Sequence, residues 1–135
     1  MSRVYIYERF LAYSLNQQQY TMIYTVFCLI HGELLRNAFV VQIDRSETVS
    51  VLKELIVGKN PNYFKGIDAR QLCLWKADFL ISSGQNAVKQ LDLADSNMLD
   101  PFTHLIDIYK PYPYTKRIHF IVKAPKQNGT FQLWK

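Results

Sequence analysis

Residues 39–61 of the chain are FVVQIDRSETVSVLKELIVGKNP, and this stretch decides the fold because it contains a strand followed directly by a helix. Its first residues alternate, with Phe39, Val41 and Ile43 on one side, which predicts a β-strand with one buried face. Thr48 then has the side-chain type preferred at a helix N-terminus. The apolar residues of this helix recur at helical spacing on one side: Val49, Leu52, Leu55 and Ile56.

The predicted helix is short and amphipathic. Ser50, Lys53 and Glu54 lie on the side opposite to the apolar one. Gly58 is predicted to end the helix, because glycine readily takes the left-handed conformation at a helix C-terminus, and Pro61 cannot continue it. A helix of about three turns does not stay folded alone, so it must lie across a sheet that includes the preceding strand.

Three further segments have the composition of strands. Residues 24–30, YTVFCLI, are apolar on both faces, as a central strand is, and they are predicted to form a hairpin with residues 38–43. Residues 71–76, QLCLWK, and residues 117–123, RIHFIVK, are predicted to be the third and last strands. Short helices are predicted between them: a turn at 68–71, a helix from Asn86 through Leu93, and one starting at Asp100-Pro101 that carries Phe102, Leu105 and Ile106 inward.

The order of elements predicts an α+β fold, in which a hairpin and later strands share one mixed sheet under one main helix, with short extra helices. The β-grasp (ubiquitin-like) arrangement satisfies this order most simply, with the last strand parallel to the first at the centre. Short connections and right-handed crossovers both permit it.

Length and composition fit one domain, with 135 residues of which 49% are hydrophobic. The net charge of +5 is unevenly spread, because residues 108–135 hold six Lys or Arg and no Asp or Glu. This basic C-terminal quarter is compatible with nucleic acid, acidic protein or anionic lipid as a partner, and also with a solvated tail. The sequence has no apolar run of about 18 residues, so no transmembrane helix is predicted.

The sequence predicts no catalytic, cofactor-binding or metal-binding residues. The three histidines, His31, His104 and His119, lack a Cys or His at metal-ligand spacing, and the five glycines are too scattered for a phosphate-binding loop. Cys28 is interpreted as a small core residue of the first strand rather than a nucleophile. Cys28 and Cys73 are predicted to stay unpaired, because they face opposite sides of the sheet with the last strand between them.

Four ordered segments resemble the N-terminal header domain of Crinkler effectors, a ubiquitin-like domain of oomycete and fungal proteins that act inside host cells. They are MIYTVFCLIHGE from Met22, FVVQIDRSETVSVLK from Phe39, IDARQLCLWK from Ile67, and the strand from Pro113 to Val122. The resemblance implies three regions: an N-terminal extension at 1–21 that is dispensable for folding, a header domain at 22–125, and a basic tail at 126–135.

The chain departs from the family pattern in two places. Oomycete members carry L-F-L-A-K near the third strand, whereas this chain has Leu74-Trp75-Lys76-Ala77-Asp78, closer to the fungal form. That difference puts an oomycete translocation motif in doubt. Full Crinklers usually attach a large C-terminal domain, whereas this sequence stops at Lys135. The chain also lacks the terminal Gly-Gly that a conjugated ubiquitin-like modifier needs.

The alternating strands predict a partner-binding patch on the sheet face opposite the helix. Cys73 and Trp75 of the third strand and His119 and Ile121 of the last strand would share that face, where ubiquitin-like domains commonly bind partners. Trp75→Ala and Ile121→Asp are then expected to weaken binding and leave the fold intact. In the competing interpretation, residues 1–21, residues 77–100 or the tail cover this face.

The resemblance implies a non-enzymatic, secreted domain that serves in delivery to host cells or in protein–protein interaction there, with the nucleus as one destination. No secretory signal peptide is recognised in residues 1–21. Two other classes remain open: an intracellular ubiquitin-like adaptor, and a basic module that binds nucleic acid through the C-terminal tail. The sequence names no host target and no oligomeric state.

Overall fold

A computed structural model describes residues 22–125 of the protein. The strands are β1 (Ile23–Ile30), β2 (Phe39–Asp44), β3 (Cys73–Leu80) and β4 (Arg117–Lys123), and the helices are α1 (Val49–Lys59), α2 (Gln85–Lys89) and α3 (Leu105–Ile108). Short 3-10 helices lie at Leu35–Asn37, Ala69–Gln71, Ile81–Ser83 and Asp95–Asn97. The regions 1–21 and 126–135, for which an extension and a tail were predicted, lie outside the described residues.

The four strands form one mixed sheet in the order β2-β1-β4-β3. β1 is antiparallel to β2 and parallel to β4, and β3 is antiparallel to β4. The first and last strands therefore lie side by side and parallel at the centre, with α1 as the main helix. This confirms the predicted α+β fold of β-grasp type.

The main core lies between the sheet and α1. Val49, Leu52 and Ile56 of α1 are fully buried against the inward residues of the strands, among them Val26 and Phe120. Leu55, predicted to face the core, is 37% exposed, whereas Lys53, predicted to face solvent, is only 7% exposed. A lysine can be largely buried without an ion pair, because its long apolar stem can lie along the protein surface while its ammonium group reaches water.

α1 continues past Gly58 to Lys59 and is capped by Asn60. Gly58 lies within the helix, and Asn60 is the C-cap, with φ −132°. The side-chain amide of Asn60 donates a hydrogen bond of 2.9 Å to the carbonyl of Ile56, and its backbone N–H donates to Val57. Because these bonds satisfy carbonyls that the last turn leaves free, no left-handed glycine is needed to end the helix.

β3 is longer than predicted because it continues to Leu80 through an irregularity. The register shifts between Lys76, which pairs with Phe120, and Phe79, which pairs with Ile118. A bulge breaks the alternation of sides along a strand pair. Strict alternation along β4 would place Ile118 on the α1 side with Phe120 and Val122, but Ile118 belongs to the cluster on the opposite side of the sheet.

That opposite side carries a second hydrophobic cluster, formed by Leu29, Ala77, Ile118 and Ile121. Residues 81–99, which we call the insert, supply Ile81, Val88, Leu91 and Leu93 to pack against it. The predicted helix from Asn86 to Leu93 is present but shorter. Phe102, predicted to point inward, is 80% exposed, while Leu105 of α3 is buried as predicted.

Both cysteines are free thiols, as predicted, with Cys28 buried and Cys73 partly exposed. β4 lies between their strands in the sheet. Burial raises the pKa of the Cys28 thiol, because a thiolate would lose its hydration there. A thiol with a raised pKa is a poor nucleophile, which agrees with a core role for Cys28.

Candidate functional site

The four residues of the predicted binding patch lie on neighbouring strands, but three of them are buried. Trp75 pairs with Ile121, and Cys73 pairs with Lys123. Trp75 is 3% exposed, and His119 and Ile121 are fully buried; only Cys73 is partly accessible. The exposure predicted for this patch is therefore wrong, and partner binding by these four side chains remains an untested prediction.

Trp75 is held by the insert that covers it. Its indole Nε1–H donates a hydrogen bond of 2.9 Å to the carbonyl of Ala94. The backbone of Trp75 forms an isolated antiparallel bridge with Met98, and the N–H of Leu99 donates to the carbonyl of Leu74 at 2.8 Å. The insert thus covers the outer face of β3 at Trp75 and pairs with its outer edge at Leu74 and Trp75. Trp75→Ala should therefore cost stability, contrary to the expectation that the fold would stay intact.

His119 has a backbone-binding role inside the sheet. Its Nδ1 accepts a hydrogen bond of 2.9 Å from the N–H of Phe27, and its Nε2 lies 2.6 Å from the carbonyl oxygen of Tyr114. Since a backbone N–H only donates and a carbonyl only accepts, the ring must be neutral, with its proton on Nε2. Burial lowers the pKa of His119, which favours the same neutral form.

Tyr109, at the end of α3, belongs to the same buried network. Its hydroxyl lies 2.6 Å from the carbonyl of Ala77 and 2.8 Å from that of His119. These carbonyls lie where the β3–β4 register shifts. The hydroxyl of Tyr24 in turn donates to the carbonyl of Tyr109 at 2.7 Å. The network holds the segment between α3 and β4 against the sheet.

Within residues 22–125, the second hydrophobic cluster and the insert cover the β3–β4 half of this face and also Leu29 near the end of β1, whereas the rest of the β1–β2 half stays accessible. We call this accessible part the open face. It consists of the remaining outward residues of β1 with two residues of β2: Ile23, Thr25, Phe27, Val40 and Gln42. Ile23 is 41% and Val40 37% exposed, and Phe27 is partly buried. The binding patch predicted from the sequence lies instead on the β3–β4 half of the sheet.

Two clefts border the open face. One, of about 550 Å³, is lined by Ile23, Thr25, Gln42, Ile43 and Asp44. The other, of about 220 Å³, separates the start of β1 from the loop before β4, and its lining includes Tyr112, Pro113 and Thr115. Ile23 and Thr25 line both clefts, so they mark the centre of the accessible surface.

Aromatic side chains lie beside the second cleft. Tyr112 and Tyr114 are 53% and 50% exposed, and their rings meet edge to face with centroids 5.2 Å apart. Tyrosine presents a large, partly apolar surface together with a hydroxyl, and it is enriched at protein interfaces. The open face and these two rings therefore have the composition of a protein-binding surface.

The described residues contain little that would support other chemistry. Within 22–125, no group of three or more His, Cys, Asp or Glu side chains is placed to hold a metal ion. In the same range, no helix has the length and apolar character needed to cross a membrane. Two cations of the basic C-terminal quarter form exposed ion pairs: Lys110 with Asp107 at 3.5 Å, and Arg117 with Asp78 at 3.3 Å.

Together, the fold and the site define the class of this protein: an α+β domain of β-grasp type in which, among the described residues, part of the β1–β2 half of the outer sheet face carries accessible apolar side chains. Its sequence matches the Crinkler effector protein N-terminal domain over residues 24–123. The chain belongs to this family, as the resemblance of the four segments implied.

Two curated relatives support the assignment. The chain is similar to Crinkler effector protein 1 of Rhizophagus irregularis, with 32% identity over 111 residues, which is 82% of this chain and 24% of the relative. It is also similar to Crinkler effector protein 108 of Phytophthora sojae, with 44% identity over 52 residues, which is 38% of this chain and 6% of the relative. The chain thus spans about a quarter or less of the length of these relatives.

Proposed function

We propose that this chain is a non-catalytic header domain of a secreted Crinkler-type effector, and that it acts by protein–protein interaction through the open face, either during delivery to host cells or within them. The observation that carries the proposal is the exposure of Ile23 and Val40 on a sheet whose other half is covered by the insert. An accessible apolar surface on an otherwise well-packed domain favours an interaction role.

The geometry of the open face supports this role. Apolar and β-branched side chains on paired strands are held in place by the backbone, so they lose little conformational entropy when a partner binds. Ile23 and Thr25 stand between the two clefts, where a partner side chain can be enclosed from both sides. The aromatic pair Tyr112 and Tyr114 extends the surface with the residue type that often supplies most of the binding energy.

The test is proximity labelling in host cells with the full chain and two variants. The double variant Ile23→Asp, Val40→Asp places charges on the open face, and Phe102→Asp is the matched control because Phe102 is an exposed apolar residue outside that face. Host proteins labelled by the wild type and by Phe102→Asp should be lost with the double variant. Affinity for a purified host protein found in this way should fall at least about tenfold.

Three outcomes would count against the proposal. Equal labelling by all three proteins, with the double variant folded, would exclude the open face as the binding surface. Retention of the tagged chain inside the producing cells would favour the intracellular adaptor. DNA or RNA binding that weakens with salt and disappears when the chain is truncated after Val122 would favour the nucleic-acid module.

A further inference from the structure

We propose that the outer edge of β2 binds an extended peptide segment of the partner, which adds to the sheet as a fifth strand and carries a basic residue beside Asp44. This inference rests on the proposed interaction function and specifies the chemistry of the partner. It starts from an asymmetry between the two edges of the sheet. The β3 edge is paired with the insert at Leu74 and Trp75 through Met98 and Leu99, whereas no residue in 22–125 forms a strand pair with the outer edge of β2.

The backbone groups on the β2 edge can be assigned from the ladder. The N–H of Arg45 donates to the carbonyl of Met22 at 2.8 Å. Hydrogen-bonded and non-bonded pairs alternate in an antiparallel ladder, so Ile43 and Val41 also bond to β1. The residues between them must therefore direct their backbone groups outward, away from β1: Val40, Gln42 and Asp44. The carbonyl of Asp44 already accepts the N–H of Glu47 at 3.0 Å, so at this end of the edge the N–H of Asp44 is the group left for a peptide.

An independent contact supports this assignment. Phe27 pairs with Val40, so in the same alternation its N–H points away from β2. That N–H indeed donates to His119 on the β4 side at 2.9 Å.

β2 has few of the features with which proteins protect an edge strand, apart from the charge of Asp44 at its end. Its sequence, FVVQID, contains no lysine and no proline, and its register with β1 is continuous over six residue pairs, without a bulge. Exposed edges without such features readily accept another strand, and several peptide-binding domains use this mode. The β2 edge is therefore well suited to peptide addition.

Charge identifies the peptide that fits. Among the residues that the structure describes, Asp44 is the one charged side chain lining the 550 Å³ cleft beside β2. Hydrogen bonds from the backbone N–H and hydroxyl of Ser46 lower the pKa of Asp44, so its carboxylate is ionised. Val40, at the other end of the outward row, is apolar and 37% exposed. An antiparallel partner strand would place a Lys or Arg opposite Asp44 and, four residues later, a β-branched or aromatic residue opposite Val40.

A second copy of this chain fits the edge less well. In the fullest antiparallel pairing of two β2 strands, centred on Gln42, each Asp44 would lie opposite Val40 of the other copy. Both carboxylates would then lack an opposite charge and both valines an apolar neighbour. A heterologous segment that carries the complementary residues is the better occupant.

The test selects peptides on the full chain from a displayed library of random 12-residue peptides. Gln42→Pro is the counter-selection variant, because it removes an outward N–H and a proline is tolerated on an edge strand. Selected peptides should carry the basic and apolar residues at the predicted spacing, and Gln42→Pro should weaken their binding at least about tenfold. If Gln42→Pro does not fold, Asp44→Lys replaces it and should select an acidic residue in place of the basic one.

Amide hydrogen exchange on the best peptide complex decides the mode of binding. Added protection of the N–H groups of Val40, Gln42 and Asp44, with no change at Val41 and Ile43, supports strand addition. Peptides without the predicted pattern, or with unchanged affinity for Gln42→Pro, overturn it. Protection of these N–H groups in the free protein would also overturn the proposal. Protection that increases with protein concentration would indicate a dimer, and protection that is lost when the chain begins at Met22 would indicate that residues 1–21 occupy the edge.

The two proposals can fail separately. If the peptide changes the amide exchange of Ile23 and Thr25 but does not protect the N–H groups of the β2 edge, strand addition is overturned and the open face remains the binding surface. Unchanged host-protein labelling by the open-face double variant, together with peptides that protect the edge, would do the reverse.

Discussion

His119 shows how a single side chain can replace a missing piece of backbone pairing. The pairing of β1 with β4 begins at Cys28 and Phe120. One residue earlier on β1, the N–H of Phe27 donates a hydrogen bond to the imidazole of His119 instead of to a backbone carbonyl. The other ring nitrogen reaches the carbonyl of Tyr114. Both bonds require the neutral ring, so the central strand pair depends on the protonation state of one histidine.

This dependence predicts a loss of stability in mild acid. Burial lowers the pKa of His119 below its ordinary value of 6.5. At pH values below about 6.5 and above the lower pKa of the folded state, His119 binds a proton in the unfolded chain but not in the folded one. The free energy of unfolding should therefore fall as the pH drops below about 6.5. Urea denaturation at pH 7.5, 6 and 5 measures the slope, and His119→Gln should flatten it because a neutral amide can keep both bonds.

The matched control is His31→Gln, since His31 is exposed on the loop after β1. It should keep the wild-type slope over the same pH range. An unchanged slope in a folded His119→Gln would show that another group dominates the acid sensitivity.

At the scale of elements, α1 provides the main test of the core. Leu52 is fully buried and Leu55 is 37% exposed, although both are leucines three residues apart on one helix. Leu52→Ala should lower the free energy of unfolding by about 2–5 kcal/mol, because it removes buried methyl groups and leaves a cavity. Leu55→Ala should change it by about 0.5 kcal/mol or less. Equal losses in chemical denaturation would show that the two helix positions are not distinguished by burial.

Periodicity predicts some elements of this chain much better than others. β1, β2, α1 and β4 have strong apolar patterns, and the order of these elements was sufficient to predict the parallel central pair. The insert has weak patterns and short helices, and whether it covers a sheet face depends on contacts between residues distant in sequence. The alternation of Trp75 and Ile121 correctly put them on one side of the sheet, but it could not reveal that Ala94 and Leu93 lie above that side.

The role of His119 could not be predicted from the sequence either, because an outward histidine on a strand has the same pattern whether it binds water or a backbone amide. The end of α1 was mispredicted for a similar reason. Gly58 is a common terminator, but the side chain of Asn60 supplied a local alternative. Which of two nearby residues ends the helix depends on the packing around them, which the local sequence does not contain.

At the scale of the whole molecule, residues 22–125 contain a complete β-grasp sheet with its helix and two hydrophobic clusters. A chain that begins at Met22 should therefore keep its melting temperature within about 4 °C of the full chain, equivalent to roughly 1 kcal/mol. Differential scanning calorimetry of the two proteins is the measurement. A larger decrease would indicate that Tyr5, Tyr7, Phe10 or Leu11 packs against the folded domain.

The parallel pairing of β1 and β4 has a mechanical consequence. Tension applied between the start of β1 and the end of β4 pulls the two strands in opposite directions along their common axis. The bonds from Phe27 to His119 and from His31 to Val122, with the ladder between them, are then loaded together in shear and must break at once. Tension between Ile23 and Asp44, which are paired at one end of β1 and β2, would instead unzip bonds one after another. Since forced unfolding is governed by the unfolding barrier, this domain should resist being stretched through its ends far more than its size alone would indicate.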